Sequence, residues 1–168
     1  MYFVDAQRGW ACTDSGRVLR TTNGGSTWTG QTVVAAALHG VHFVDAFQGW
    51  AVGAGGRVLA STDGGATWQP QVSGSGADLT AVEFANASTG WIAAGPAVLR
   101  TLDGGASWQG FALPAGVHAL GLDFLGTSLG WAAGQGGSVV RTTDGGQTWS
   151  VSLAAGGAAL RGVTMGDA

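Results

Sequence analysis

The sequence predicts an all-β protein built from β-propeller blades: four repeats of about 40 residues, each a four-stranded antiparallel sheet. Two independent markers keep this period. Gly-Trp pairs recur every 40 or 41 residues, at Gly9-Trp10, Gly49-Trp50, Gly90-Trp91 and Gly130-Trp131. Phenylalanines follow the same spacing, at Phe3, Phe43, Phe84 and Phe124. Short strands repeated at this interval, with no helical periodicity between them, are typical of propeller blades.

The second repeat shows why each blade is expected to hold four strands. Apolar residues alternate with polar ones over 38–45, and 49–53 is a short apolar segment bounded by glycine. Strands three and four are predicted over 57–62 and 67–72, on either side of a tight Asp-Gly-Gly turn. Pro70 falls in strand four, and proline is tolerated in the outermost strand because its missing N–H would face solvent.

Each predicted hairpin between strands three and four carries the octapeptide Ser/Thr-x-Asp-x-Gly-x-Thr/Ser-Trp, over 21–28, 61–68, 101–108 and 142–149. The carboxylate can accept backbone N–H groups of its own turn, and the glycine permits a positive φ. The terminal tryptophan can fold back over the hairpin. We therefore predict structural roles for the acidic or amide residues and the tryptophans, which are Asn23, Asp63, Asp103, Asp144, Trp28, Trp68, Trp108 and Trp149.

This octapeptide is the Asp box, or bacterial neuraminidase repeat, and the whole repeat resembles the photosystem II stability/assembly factor-like family. The resemblance implies a multi-bladed propeller that acts as an assembly or interaction scaffold, without known catalysis. It also implies an extracytoplasmic location (periplasmic, lumenal or secreted) and an arginine cluster on one face. Arg20, Arg100 and Arg141, which precede three of the boxes, fit the family's pattern, whereas Ala60 interrupts the series.

Composition excludes several classes of function. The seven basic residues are all arginine, form no stripe, and leave a net charge of −3, so a nucleic-acid partner is not expected. No apolar run is long enough to span a membrane. The single cysteine, Cys12, and the three histidines match no metal-ligand spacing, so we predict neither a metal nor a cofactor.

The sequence shows no catalytic constellation, and we predict that the protein is not an enzyme. A sialidase would need a Tyr/Glu pair and three converging arginines, and a glycosidase would need two paired carboxyl groups. Asp123 has no partner that the sequence identifies. One position in strand one is shared by Tyr2, His42, Glu83, Asp123 and Thr164. If strand one lines the central channel, these side chains lie at one level and form a candidate ligand or partner site.

Repeat boundaries divide the single propeller unit into blades over 1–37, 38–78, 79–118 and 119–159, followed by an extra strand one over 160–168. Four blades in an open arrangement would leave unpaired edges. The extra strand could close a four-bladed ring, the chain could belong to a longer propeller, or two copies could complete an eight-bladed ring. We favour the homodimer.

The function predicted from these observations is a non-enzymatic binding or assembly scaffold. Its arginine-bearing face or its channel would contact a protein partner or a small acidic ligand. Two alternatives stay open. One is a glycan-binding or glycoside-hydrolase-related propeller, and the other is a propeller fragment that has no function of its own and assembles into a larger ring.

Overall fold

The structure is a computed structural model that describes residues 1–154 and 156–164. It confirms the predicted fold: four four-stranded antiparallel sheets, each with its strands in chain order. Blade 1 holds β1 to β4, blade 2 β5 to β8, blade 3 β9 to β12 and blade 4 β13 to β16. The strands are β1 Tyr2–Phe3, β2 Gly9–Cys12, β3 Arg17–Thr21, β4 Thr29–Thr32, β5 Leu38–Phe43, β6 Gly49–Gly53, β7 Arg57–Ser61, β8 Gln69–Val72, β9 Ala81–Phe84, β10 Gly90–Ala94, β11 Ala97–Thr101, β12 Gln109–Ala112, β13 Ala119–Leu125, β14 Leu129–Gly134, β15 Ser138–Thr142 and β16 Ser150–Ala154.

The blades form an arc around a channel lined by the first strand of each sheet. β1 packs against β5, β5 against β9, and β9 against β13. No comparable packing joins β13 to β1 among the described residues. The second strands of blades 2 and 3, Gly49–Gly53 and Gly90–Ala94, are buried along their whole length, because each lies in a sheet covered by a blade on either side. Single turns of 3-10 helix follow β6 and β14, at Ala54–Gly56 and Gln135–Gly137.

Each Asp box closes its hairpin with the same set of hydrogen bonds. In blade 2, the Ser61 hydroxyl donates to Asp63 Oδ1 at 2.9 Å and accepts the Gly65 N–H at 2.8 Å. Asp63 also accepts the Thr67 N–H and, at 2.6 Å, the Thr67 hydroxyl. Gly64 and Gly65 have φ of 72° and 85°, a conformation that a side chain would strain. The first box keeps this geometry with an amide, because Asn23 Nδ2 donates to the Thr27 hydroxyl at 2.8 Å.

Neighbouring blades meet at seams that repeat one aromatic arrangement. At the seam between blades 1 and 2, the Trp10 indole lies flat on the Phe43 ring, with centroids 3.7 Å apart. Trp10 Nε1 donates to the Gly64 carbonyl in the box of blade 2 at 2.9 Å. Trp68, the box tryptophan of blade 2, meets the same Phe43 ring edge-on. The next two seams repeat the stack with the pairs Trp50–Phe84 and Trp91–Phe124.

The structure corrects the predicted bounds of the strands. Strand four of blade 2 begins at Gln69, two residues later than expected. Thr67 and Trp68 belong to the turn instead, because Thr67 is bonded to Asp63 and the Trp68 indole donates to the Gly65 carbonyl at 3.2 Å. Pro70 lies in β8, the outermost strand of its sheet, as expected.

The extra strand predicted over 160–168 is not a strand in its described part, 160–164, and residues 165–168 lie outside the described residues. The segment nevertheless follows the path on which a next blade would begin. Leu160 N–H donates to the Gly134 carbonyl at 2.9 Å, just as Leu79 N–H donates to Gly53. Gly121 packs against Arg161 and Gly162. A strand requires a ladder partner, and a blade 4 sheet already complete with four strands offers none.

Candidate functional site

Four polar side chains from the four blades share one cavity in the channel. Each lies opposite the tryptophan of its blade's Gly-Trp pair in the sheet register, so the four stand at one level. The pairs are Tyr2 with Trp10, His42 with Trp50, Glu83 with Trp91 and Asp123 with Trp131. These four side chains, called the channel row below, line a cavity of about 440 Å³. The shared level expected from the sequence is therefore present in the structure.

Glu83 and Asp123 form a carboxyl pair across the seam between blades 3 and 4. The Glu83 carboxyl interacts with the Asp123 side chain and with the Phe124 backbone. Its Oε2 atom is buried and has no hydrogen-bond partner among the described residues. Burial, and then the negative charge of Asp123, raise the pKa of Glu83 to about 8. At neutral pH the Glu83 carboxyl therefore holds a proton.

His42 and Tyr2 form the other half of the channel row. Their ring centroids lie 4.3 Å apart. Burial lowers the pKa of His42 to about 4, and a hydrogen bond to the Phe84 backbone offsets this only in part. Burial, and then the Glu83 carboxyl, raise the pKa of Tyr2 above its usual value. At neutral pH both rings are uncharged, so the channel row combines a neutral aromatic half with an acidic half.

Of the three arginines that precede the boxes, two lie at separate seams between blades. The Arg20 guanidinium packs beside Gly64 of blade 2, and that of Arg100 packs beside Gly145 of blade 4. The Nε atoms of both are buried and lack hydrogen-bond partners among the described residues. Arg141 is exposed, and its guanidinium lies over its own Trp131, 5.7 Å from the ring centroid. Two of the three thus serve partly as packing between blades, which leaves Arg141 as the accessible member.

The box carboxylates are used within their turns. Hydrogen bonds from the side chain and then the backbone of Thr67 hold the pKa of Asp63 at about 2. Ser107 does the same for Asp103, whose pKa is also about 2. Hydrogen bonds from Thr148 lower the pKa of Asp144. The box tryptophans Trp28, Trp68 and Trp149 each donate to a glycine carbonyl of their own turn, whereas buried Trp108 Nε1 has no partner among the described residues.

Sequence reasoning missed two features. It left Asp123 without a partner, yet the equal repeat offset of Glu83 and Asp123 already indicated contact between adjacent blades. It also did not anticipate that the Gly-Trp tryptophans bind the next blade's box. The repeat carries a signal for this contact too, because the donor tryptophan and the acceptor glycine are 54 residues apart at all three seams. A constant separation longer than one repeat indicates a contact between repeats.

Within 1–154 and 156–164, no cluster of three or more histidine, cysteine, aspartate or glutamate side chains is arranged to hold a metal ion. No helix in the same residues has both the length and the apolar character to cross a bilayer. Cys12 is a free, half-buried thiol whose pKa is raised by burial.

Comparison with protein families identifies the chain. The family model described as photosynthesis system II assembly factor YCF48 matches residues 31–116, just over half of the 168 residues. The chain belongs to the YCF48 family. A second model, for the BNR/Asp-box repeat, matches residues 140–151 in blade 4. No curated protein matches the chain.

Solved structures share the fold. A structure described as YCF48 bound to D1 peptide matches with a TM-score of 0.76 and 22% identity, over 96% of this chain and 55% of that one. YCF48 from Cyanidioschyzon merolae matches with a TM-score of 0.62 and 26% identity, over 71% of this chain and 40% of that one. An ancestral GH74 enzyme matches with a TM-score of 0.69 and 18% identity, over 89% of this chain and 25% of that one. The chain thus spans about half the length of the YCF48 structures that it resembles.

Proposed function

We propose that this protein is a non-enzymatic scaffold of the photosystem II assembly-factor type, which binds a segment of a protein partner. The observation that supports the proposal is the YCF48 family match over 31–116. A similar structure is described as holding a D1 peptide, so a D1 segment is the first partner to test. The resemblance to the family also leads us to propose an extracytoplasmic location, which fractionation of the source cells would test.

The channel row is the proposed binding surface. Its four members differ from blade to blade, although the surrounding seam positions repeat. The protonated Glu83 beside Asp123 suits a basic side chain of the partner. An incoming ammonium or guanidinium group would displace the proton and pair with both carboxylates. The Tyr2–His42 half offers aromatic surface for the stem of the same side chain.

The test is fluorescence anisotropy with a labelled synthetic D1 peptide, and a scrambled peptide of equal composition as control. We expect the double variant Glu83→Gln and Asp123→Asn to bind about tenfold more weakly, the equivalent of about 1.4 kcal/mol. Arg141→Glu should leave binding unchanged, because that side chain lies outside the cavity.

Two outcomes would count against the proposal. Equal binding of the D1 peptide and its scrambled control would overturn the scaffold function for this partner. If Arg141→Glu abolishes binding and the channel variant does not, the arginine face and an acidic partner segment replace the channel as the site.

A glycoside hydrolase is the second candidate, since the GH74 enzyme shares the fold. Glycosidases separate their two carboxyl groups by about 5–5.5 Å in retaining enzymes and about 6.5–9.5 Å in inverting ones. The Glu83 carboxyl interacts with the Asp123 side chain and its Oε2 atom is buried, so the pair does not present the two separated carboxyl groups that a glycosidase uses. We therefore expect no release of reducing ends from β-glucans, and no retention on a glycan array.

A further inference from the structure

The box of blade 1 contains an Asn-Gly bond, between Asn23 and Gly24, where the other three boxes have Asp-Gly. Glycine after asparagine leaves its backbone nitrogen free to approach the side-chain amide, because glycine has no Cβ. The other asparagine of the sequence, Asn86, is followed by Ala87, whose methyl group hinders the same approach. Asn23 is therefore the asparagine whose amide is more open to attack by its own backbone.

The folded turn holds both groups that would react. The Gly24 N–H donates to the Gln7 carbonyl at 2.9 Å, which ties this nitrogen to the loop between β1 and β2. Asn23 Oδ1 accepts the Thr21 hydroxyl and the Thr27 N–H, each at 2.9 Å. Asn23 Nδ2 donates to the Thr27 hydroxyl at 2.8 Å. Although Asn23 is exposed to solvent, both ends of its amide are fixed as long as the hairpin is closed.

The same turn favours a carboxylate over an amide. In blade 2, Asp63 Oδ2 accepts the Thr67 hydroxyl at 2.6 Å. The corresponding bond of blade 1 runs in the opposite direction, because the amide nitrogen of Asn23 can only donate. A carboxylate at this position would accept the Thr27 hydroxyl in a shorter, charge-assisted hydrogen bond. The turn of blade 1 therefore fits the deamidated side chain better than the amide that it carries.

We propose that Asn23 is a site of spontaneous deamidation, that opening of the blade 1 hairpin controls its rate, and that its aspartyl product completes a fourth Asp box. In the open hairpin, the Gly24 nitrogen attacks Asn23 Cγ, and the new N–Cγ bond closes a succinimide ring. The Cγ–Nδ2 bond breaks, and Nδ2 leaves as ammonia with the proton that the Gly24 nitrogen gives up. Water then adds to one of the two ring carbonyls and opens the ring to aspartate or isoaspartate.

The two products differ in how they fit the turn. Aspartate keeps the backbone length, so its two oxygens can make the bonds that Asp63 makes in blade 2. Isoaspartate routes the chain through the side-chain carbon and lengthens the backbone by one atom. That extra atom lies directly before Gly24 and Gly25, whose φ values of 67° and 87° close the turn. Only the aspartyl product therefore allows the box to form again.

The test follows deamidation of the 168-residue chain by peptide mass mapping, after incubation in the folded state and in urea at one pH and temperature. Trypsin cleaves after Arg20, Arg57 and Arg100, so Asn23 and Asn86 fall in different peptides. We expect the Asn23 peptide to gain the mass of deamidation at least about tenfold faster in urea, because the folded hairpin must open first. The Asn86 peptide should stay unchanged in both samples.

Two variants test the control by hairpin opening. Thr27→Val removes the hydroxyl that holds Asn23 Nδ2, and deamidation of the folded chain should become about tenfold faster. Thr22→Val is the matched control and should keep the wild-type rate. The Thr22 side chain has no hydrogen-bond partner among the described residues, and Leu102 occupies its position in blade 3. In urea, the two variants and the wild-type chain should react at one rate.

Four results would overturn the proposal. If the Asn23 peptide changes no faster than the Asn86 peptide in urea, the bond is not labile. Equal rates for the wild-type chain in the folded state and in urea would show that the hairpin does not control the reaction, whether or not Thr27→Val folds. A folded Thr27→Val chain that reacts at the wild-type rate would show the same. A urea midpoint of Asn23→Asp at or below that of the wild type would show that the box does not favour the product.

Discussion

The Trp91 indole lies flat on the Phe124 ring of the next blade, with centroids 3.7 Å apart and an interplanar angle of 5°. Trp91 Nε1 donates at 2.8 Å to the Gly145 carbonyl in the same neighbouring blade. One side chain therefore supplies both apolar contact and the hydrogen bond that satisfies a buried turn carbonyl. Stability of the arc depends on these seams, since each blade alone is a small sheet with two apolar faces.

Replacing Trp91 with phenylalanine should retain the stack and lose the hydrogen bond. We expect the free energy of unfolding to fall by about 1–3 kcal/mol, because the Gly145 carbonyl is left buried and unpaired. Chemical denaturation followed by tryptophan fluorescence and circular dichroism measures this. Trp28→Phe is the control, because Trp28 donates within its own half-exposed turn. An equal loss in both variants would contradict the special role of the seam.

Adding one methyl group at Gly90 should also destabilise the protein. A side-chain carbon there would lie 2.5 Å from the ring of Phe84, which is buried between Trp50 and Trp108. We expect Gly90→Ala to lower the free energy of unfolding by about 1–3 kcal/mol through overpacking. Gly76→Ala is the matched control, since no atom lies within 4 Å of the added carbon. Thermal unfolding of both variants tests the difference.

Because of Glu83 in the channel row, the free energy of unfolding should fall as pH rises from about 5 to 8. The pKa of Glu83 is about 8 in the folded protein and 4.5 in the reference state, so the unfolded chain loses this proton first. Glu83→Gln should remove this dependence. The free energy of unfolding of the variant, relative to that of the wild-type protein, should be about 1–3 kcal/mol higher at pH 8 than at pH 5. Urea unfolding at a series of pH values provides the measurement.

His42 contributes with the opposite sign, because its pKa of about 4 lies below the reference value of 6.5 and its stabilising effect is lost as pH falls between those values. The Glu83 effect is therefore clearest between pH 6.5 and 8. An unchanged pH profile in Glu83→Gln would show that the carboxyl pair does not share a proton.

The Asp boxes should determine how the protein responds to acid. Asp63 and Asp103 have a pKa of about 2 in the fold, against 3.8 in the reference state, so their contribution is lost as pH falls between these values. The double variant Asp63→Asn and Asp103→Asn should show a shallower acid transition by circular dichroism. The reciprocal variant Asn23→Asp should make the transition steeper. A steeper transition in the double variant would contradict this assignment.

The repeat allowed the strands and turns to be predicted almost completely, because local chemistry determines them: the Asp63–Thr67 bonds and the two glycines specify the hairpin wherever the octapeptide occurs. Contacts between blades were harder to predict. The Trp10–Phe43 stack and the Glu83–Asp123 pair each join residues of neighbouring blades, and nothing local to either residue specifies its partner. The arginine series, which Ala60 interrupts, favoured a surface cluster. In the structure, the guanidinium groups of Arg20 and Arg100 instead pack beside Gly64 and Gly145 at the seams.

Every seam places tryptophan on one side and phenylalanine on the other, so the arc has a direction, like a filament with two unlike ends. A blade inserted by gene duplication would carry both halves of this contact and could join at any seam without a new interface. The number of blades can therefore change in evolution at little structural cost.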